Sequence, residues 1–140
     1  MQIVIIDNYD SFVYNIVRYI NDATSQKAVV MRNDKVDFAL LEKADAIVLS
    51  PGPGIPEEAG DLMKVIEQFH ATKPILGICL GHQAIGEYFG ARLVQNKLPL
   101  HGKSTLIMKL ATQTAFFGGK KVALVSVIPR NSTMKYSILE

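Results

Sequence analysis

The stretch Pro74-Ile75-Leu76-Gly77-Ile78-Cys79-Leu80-Gly81-His82-Gln83 constrains this chain more than any other. An apolar, strand-like run enters a glycine, places the single cysteine at a turn, and leaves through a second glycine into helix-forming residues. That order is a strand–turn–helix elbow, which holds a nucleophile on a tight turn with its side chain exposed. Small flanking residues are needed because the turn brings strand and helix backbones together. A helix starting behind Cys79 also points unpaired N–H groups and its positive dipole end at the sulfur, and both favour thiolate. Covalent catalysis is therefore the expected role of Cys79. The competing role of a lone cysteine is a small buried hydrophobe, and the paired glycines weigh against it.

A length of 140 residues fits one domain, 1–140, large enough for a real core. The 49% hydrophobic and 20% charged fractions are those of a soluble globular protein. No apolar run reaches the ~18 residues of a membrane helix, so no membrane partner is expected. The start Met1-Gln2-Ile3-Val4-Ile5-Ile6-Asp7 lacks a basic leader segment and meets an acid too early for a signal peptide. One cysteine excludes an internal disulfide and a cysteine-cluster metal site. The cytoplasm is the expected address, and no motif implies a metal or an organic cofactor.

The formal charge of +2 hides an asymmetry. Residues 1–100 carry nine Lys/Arg against twelve Asp/Glu, a net of −3, and residues 101–140 carry six against one, a net of +5. These basic residues are scattered and few aromatics accompany them, so a solvated or partner-facing surface is expected rather than nucleic acid.

Gln2–Ile6, Ala28–Met31, Ala46–Leu49 and Pro74–Ile78 read as short buried strands. Helical stripes separate them: Phe12, Ile16, Tyr19 and Ile20; then Val36, Leu40 and Leu41; then Leu62, Val65, Ile66 and Phe69. A helix over Gly81–Phe89 follows, then strands near Arg92–Val94, Thr105–Lys109 and Val122–Ile128. Asp10 or Ser11 is placed to cap the first helix. This order predicts an α/β fold: an open, mostly parallel, flavodoxin-like sheet with helices on both faces and an antiparallel extension. Open sheets of this kind bind ligands at the carboxyl ends of their strands. Three unusual segments fall there: Asp7–Ser11, Ser50–Gly54 and Cys79–Gln83.

The segment Ser50-Pro51-Gly52-Pro53-Gly54-Ile55-Pro56 is a stiff loop able to hold amide N–H groups in fixed directions. Acyl transfer needs such donors at the developing oxyanion, each worth about 10²–10³ in rate. The N–H of Leu80, directly after the nucleophile, is a second source. Alone, the loop would read as ordinary turn punctuation; one strand before the elbow, it reads as the oxyanion-donor side of an acyl-transfer site.

The combination of Asp7-Asn8-Tyr9-Asp10-Ser11-Phe12, Ser50–Gly54, Gly77–Gln83 and His101-Gly102-Lys103 closely resembles the class I glutamine amidotransferases. Within that family it is most similar to the glutaminase subunits of anthranilate synthase (component II) and para-aminobenzoate synthase. The resemblance covers residues 1 to about 117. It implies glutamine hydrolysis through a Cys79 thioester, with ammonia passed to a chorismate-aminating synthase subunit. It places Gly52, Pro53, Gly54, Leu80 and Gln83 in the substrate and oxyanion site. It leaves open the tryptophan and folate branches of biosynthesis.

The family supplies its base and orienting carboxylate in a His-Pro-Glu type segment, and no histidine here is followed by proline. The three histidines are His70, His82 and His101, none in the family's context for a base. Residues 118–140 do not align with the family's Tyr-His-Ser-Leu stretch and are read as a divergent tail of an apparently truncated, partial domain. The expectation is an impaired glutaminase. Two alternatives stand beside it: a catalytically dead partner-binding module, and an unrelated cysteine hydrolase sharing only the elbow.

Overall fold

The computed structural model describes residues 1–95 and, beyond them, the strands at 115–117, 120–125 and 134–137. The elements run β1 (Ile3–Asp7), α1 (Val13–Thr24), β2 (Val29–Arg32), α2 (Phe38–Lys43), β3 (Ala46–Leu49), a 3₁₀ turn (Pro56–Glu58), α3 (Leu62–Phe69), β4 (Ile75–Ile78), α4 (Leu80–Tyr88) and β5 (Arg92–Gln95). The later strands are β6 (Ala115–Phe117), β7 (Lys120–Val125) and β8 (Met134–Ser137). Among the described residues the main sheet has the order β2-β1-β3-β4-β7-β6. Its first five strands are parallel and β6 turns back antiparallel on β7. A separate antiparallel pair joins β5 to β8. The expected α/β class with an antiparallel extension is thus observed. The Thr105–Lys109 strand and the His101-Gly102-Lys103 segment lie outside the described residues.

All five residues of β1 are buried, as a central strand covered on both faces requires. Alternation sorts them by face. Val4 and Ile6 point into the larger core with Ile47, Leu49 and the inner faces of α2, α3 and α4. Ile3 and Ile5 point the other way, with Val48 and the buried face of α1. Phe69, Leu62 and Ile66 of α3 are fully enclosed in the larger core. Between α1 and the sheet lies an apolar groove of about 480 Å³, with Val48, Leu76 and Ile78 on its floor and Tyr19 and Ile20 on its wall.

The face of α1 differs from the expected one. Phe12 and Tyr19 are 63% and 70% exposed, and the packed stripe is Val13, Ile16, Val17 and Ile20. Phe12 precedes the helix, at φ −98° and ψ 2°, so it does not share the helical period. The aliphatic residues at i, i+3, i+4 and i+7 then form the continuous stripe. Neither Asp10 nor Ser11 caps α1: the N-cap position falls on Phe12 with no side-chain cap bond, and the Asp10 carboxylate instead closes the turn before the helix, accepting from the Phe12 N–H at 3.1 Å.

Register aligns the loops that carry the unusual segments. Ile6 pairs with Leu49 and Leu49 with Gly77, so β1, β3 and β4 end together at one edge. Asn8, Pro51 and Cys79 each follow within two residues of that row.

Candidate active site

Cys79 has φ 53° and ψ −108°, a backbone conformation that side-chain-bearing residues rarely adopt. Such strain persists only where the surroundings enforce it, and it clusters at functional sites. The enforcing contacts come from glycines. A Cβ on Gly77 would lie 2.6 Å from the carbonyl oxygen of Gly81, and one on Gly81 would overlap the carbonyl oxygen of Leu49. β4 and α4 therefore meet without intervening side chains. The Gln83 N–H donates to the Cys79 carbonyl at 2.9 Å, closing the first turn of α4.

The sulfur is half-buried, and burial pushes the Cys79 thiol above its ordinary pKa. The neighbouring Leu80 N–H pulls the value down, and the Asp10 carboxylate adds to the rise. The expected thiolate preference is corrected here, because one amide donor at a helix start does not offset desolvation and a nearby negative charge.

The Ser50–Gly54 loop is packed against the elbow. A Cβ on Gly52 would stand 2.5 Å from both Cβ and the carbonyl oxygen of Asn8, and 2.9 Å from Cδ2 of Leu80. Gly52 thus sits where the loops after β1 and β3 and the start of α4 converge. Leu80 and Gln83 are buried, while Pro53 and Gly54 are exposed, Gly54 with φ +76°. The structure therefore gathers Gly52, Leu80 and Cys79 at one point, and Pro53 and Gly54 project from it towards solvent.

The two described histidines lie at the end of α3 and inside α4. Nδ1 of His70 is 3.0 Å from the Ile66 carbonyl and 3.1 Å from that of Glu67, and the ring packs on Tyr88 and Phe89. It finishes α3, as its position before β4 suggests. His82 lies inside α4, where burial lowers its pKa and keeps it neutral. Among the described residues no group of three or more His, Cys, Asp or Glu is arranged to hold a metal ion, and no helix is long and apolar enough to cross a membrane.

Sequence reasoning did not single out Asn33 or the partners of Asn8. Both asparagines and Ser50 are buried and hydrogen-bonded to one another behind the Gly52 loop. The available signal was a repeated pattern: an asparagine directly after β1 and another directly after β2, each following an apolar strand.

A doubly wound sheet that carries a strained cysteine elbow and a glycine-proline loop at its carboxyl edge defines an α/β protein with its unusual loops where such sheets bind ligands. The chain's family follows from comparison. Residues 4–129 match the model of the class-I glutamine amidotransferases, and the chain belongs to that family. It is 47% identical over 114 residues to anthranilate synthase component 2 of Lactococcus lactis, covering 81% of this chain and 57% of that protein. It is 43% identical over 110 residues to aminodeoxychorismate synthase component 2 of Serratia marcescens, covering 77% and 57%. Among solved structures, a putative GMP synthase subunit from Thermoplasma acidophilum superposes with a TM-score of 0.61 at 30% identity, covering 73% of this chain and 51% of that one. The chain spans a little over half the length of the two synthase components it resembles.

Proposed function

We propose that this chain is the glutaminase component of a chorismate-aminating synthase, making anthranilate or aminodeoxychorismate with its partner. The observation that carries this reading is Cys79 at φ 53° between two obligatory glycines, with the Gly52 loop packed against the adjoining Leu80. Cys79 Sγ attacks the side-chain amide carbon of glutamine. The carbonyl oxygen takes up negative charge beside the Leu80 N–H and the Gly52 loop. The C–N bond breaks, ammonia leaves with a proton, and water hydrolyses the glutamyl thioester to glutamate. Gln83, one turn along α4, is assigned to substrate contact.

Proton transfer to and from the sulfur needs a base, which neither His70 nor His82 supplies in this reading. In this reading turnover by the 140 residues alone is slow, in line with a thiol held above its ordinary pKa. One observation favours the partner-binding alternative: Tyr9, Phe12 and Ile55, which follow the same strand ends as Cys79, expose large apolar surface. In either reading the synthase subunit docks over this edge.

Ammonia release from glutamine is the test, measured with and without a chorismate-aminating synthase subunit and against Cys79→Ala. The expected result is slow, Cys79-dependent release. Release that survives Cys79→Ala would sink the glutaminase reading. Complete absence of release, with the synthase subunit still bound, would establish the binding module instead.

A further inference from the structure

We propose that Asn33 is a positioning residue for the Gly52 loop, acting through Asn8 from outside the elbow. The inference rests on the glutaminase reading for its consequence in chemistry, but not for its geometry. Nδ2 of Asn33 donates to Oδ1 of Asn8 at 3.1 Å. Asn8 in turn grips Ser50 twice: its Nδ2 donates to the Ser50 carbonyl at 2.8 Å, and its backbone N–H donates to the Ser50 hydroxyl at 2.9 Å. That hydroxyl donates onward to the Pro51 carbonyl at 2.7 Å. Asn33, Asn8 and Ser50 are 5%, 2% and 0% exposed.

Three buried polar side chains cost free energy unless each is satisfied, and each bond here satisfies a group that burial would otherwise strand. The chain of bonds has a direction. Asn33 is itself anchored at both backbone groups, its N–H to the Asp7 carbonyl at 3.0 Å and its carbonyl to the Asp61 N–H at 2.8 Å. Asn8 is the middle link, and Gly52 lies against Asn8 on one side and Leu80 on the other. Displacing Asn8 therefore displaces the loop that faces the start of α4. The side chain of Asn33 bonds Asn8, and its effect on the loop passes through Asn8.

An ordinary strand-end lock would predict a loss of stability and nothing more. A positioning role predicts a change in the loop and in substrate-directed chemistry at Cys79, with general thiol reactivity preserved. Asn33→Asp removes the Nδ2 donor while keeping shape, and its carboxyl recovers a donor when protonated at low pH. Asn33→Ala removes the donor without introducing charge, and serves if the first variant does not fold.

The experiment uses the 140-residue chain and two alkylating agents. Iodoacetamide reports the thiol alone; a chloroketone analogue of glutamine, in which Cys79 displaces chloride, reports the substrate site. Hydrogen–deuterium exchange of the segment 50–54 reports the loop directly. The expected result for both variants is faster exchange at 50–54, at least tenfold slower chloroketone labelling, and iodoacetamide rates within twofold of the parent. For Asn33→Asp, labelling relative to the parent recovers as pH falls through the carboxyl range. Unchanged exchange at 50–54 overturns the proposal, as does faster exchange with unchanged labelling. If the parent chain is not labelled by the chloroketone at all, the glutaminase reading fails, and the exchange result alone decides whether Asn33 positions the loop.

Discussion

Gly81 lies so close to Leu49 that a single added carbon would overlap the Leu49 carbonyl oxygen and stand 2.5 Å from its Cβ. The contact joins the first turn of α4 to the end of β3 and sets the height at which Cys79 leaves the sheet. Gly81→Ala is expected to destabilise the fold by about 3 kcal/mol, because backbone cannot yield as a flexible side chain does. Gly90→Ala is the contrast: nothing lies within 4 Å of its added Cβ, but φ is +90°. It should cost only about 1 kcal/mol, from left-handed strain alone. Urea unfolding of both variants checks the pair, and equal losses would refute the close-approach account.

The larger core gives a second expectation. Phe69 is fully buried and its ring centroid is 6.4 Å from that of Phe38. Phe69→Ala should cost about 3–5 kcal/mol, combining lost transfer energy with a residual cavity. Tyr14→Ser, at a 72% exposed site, should stay within about 0.5 kcal/mol. A small loss at Phe69 would mean that α3 collapses into the space.

The Asp7–Arg32 pair links the ends of β1 and β2. Nε of Arg32 is 3.1 Å from the Asp7 carboxylate, whose side chain is almost fully buried, and the guanidinium lies 4.3 Å from the centroid of the Tyr9 ring. Arg32→Ala should cost about 1–3 kcal/mol by leaving the buried carboxylate without its cation, the half-exposed arginine lowering the figure. Arg32→Lys keeps charge but loses the planar fork and the stacking, so its thermal midpoint should fall between the two. A midpoint equal to that of the parent would show that charge alone matters.

Local pattern carried the fold as far as β4 and α4, since continuous apolar strands and helical stripes are signals within one segment. The elbow was legible for the same reason: Gly77, Cys79 and Gly81 are adjacent in sequence. The polar relay was not, because Asn8 meets Asn33 and Ser50 across separations of 25 and 42 residues. Nothing in a local window reports such pairings. The outward turn of Phe12 and Tyr19 escaped notice because hydrophobicity ranks aromatics with aliphatics, while the packing of α1 selected Val13, Ile16, Val17 and Ile20. Thiol acidity was misjudged because a helix start is visible in sequence and desolvation is not.

Glu87 of α4 shows a pH effect of definite sign. Burial pushes its carboxyl above the ordinary range, and the hydrogen-bonded Glu57 carboxylate pushes it further. The folded state therefore holds this proton more tightly than the unfolded chain does. Stability from Glu87 is complete below the ordinary carboxyl range and is lost as pH rises through the raised folded value. Glu87→Gln should erase that loss. The gap in thermal midpoint between variant and parent should widen in the variant's favour as pH rises, then level off. A gap independent of pH would count against the carboxyl pair.

Cys79 supplies the prediction closest to function. Burial is the main cause of its raised pKa, Asp10 adds to it, and the Leu80 N–H opposes both. Alkylation by iodoacetamide follows the thiolate fraction, so at neutral pH it should run slower than for an unhindered cysteine. Its rate should still be climbing as pH passes the free-thiol value of ~8.5. Asp10→Asn removes the negative charge while keeping an oxygen to accept from the Phe12 N–H. It should shift the profile to lower pH and speed alkylation at neutrality, with little change in the turn that leads into α1. A profile already saturated below ~8.5 in the parent would mean that the helix start and the amide donor outweigh burial. An unchanged profile in Asp10→Asn would remove the carboxylate from the site.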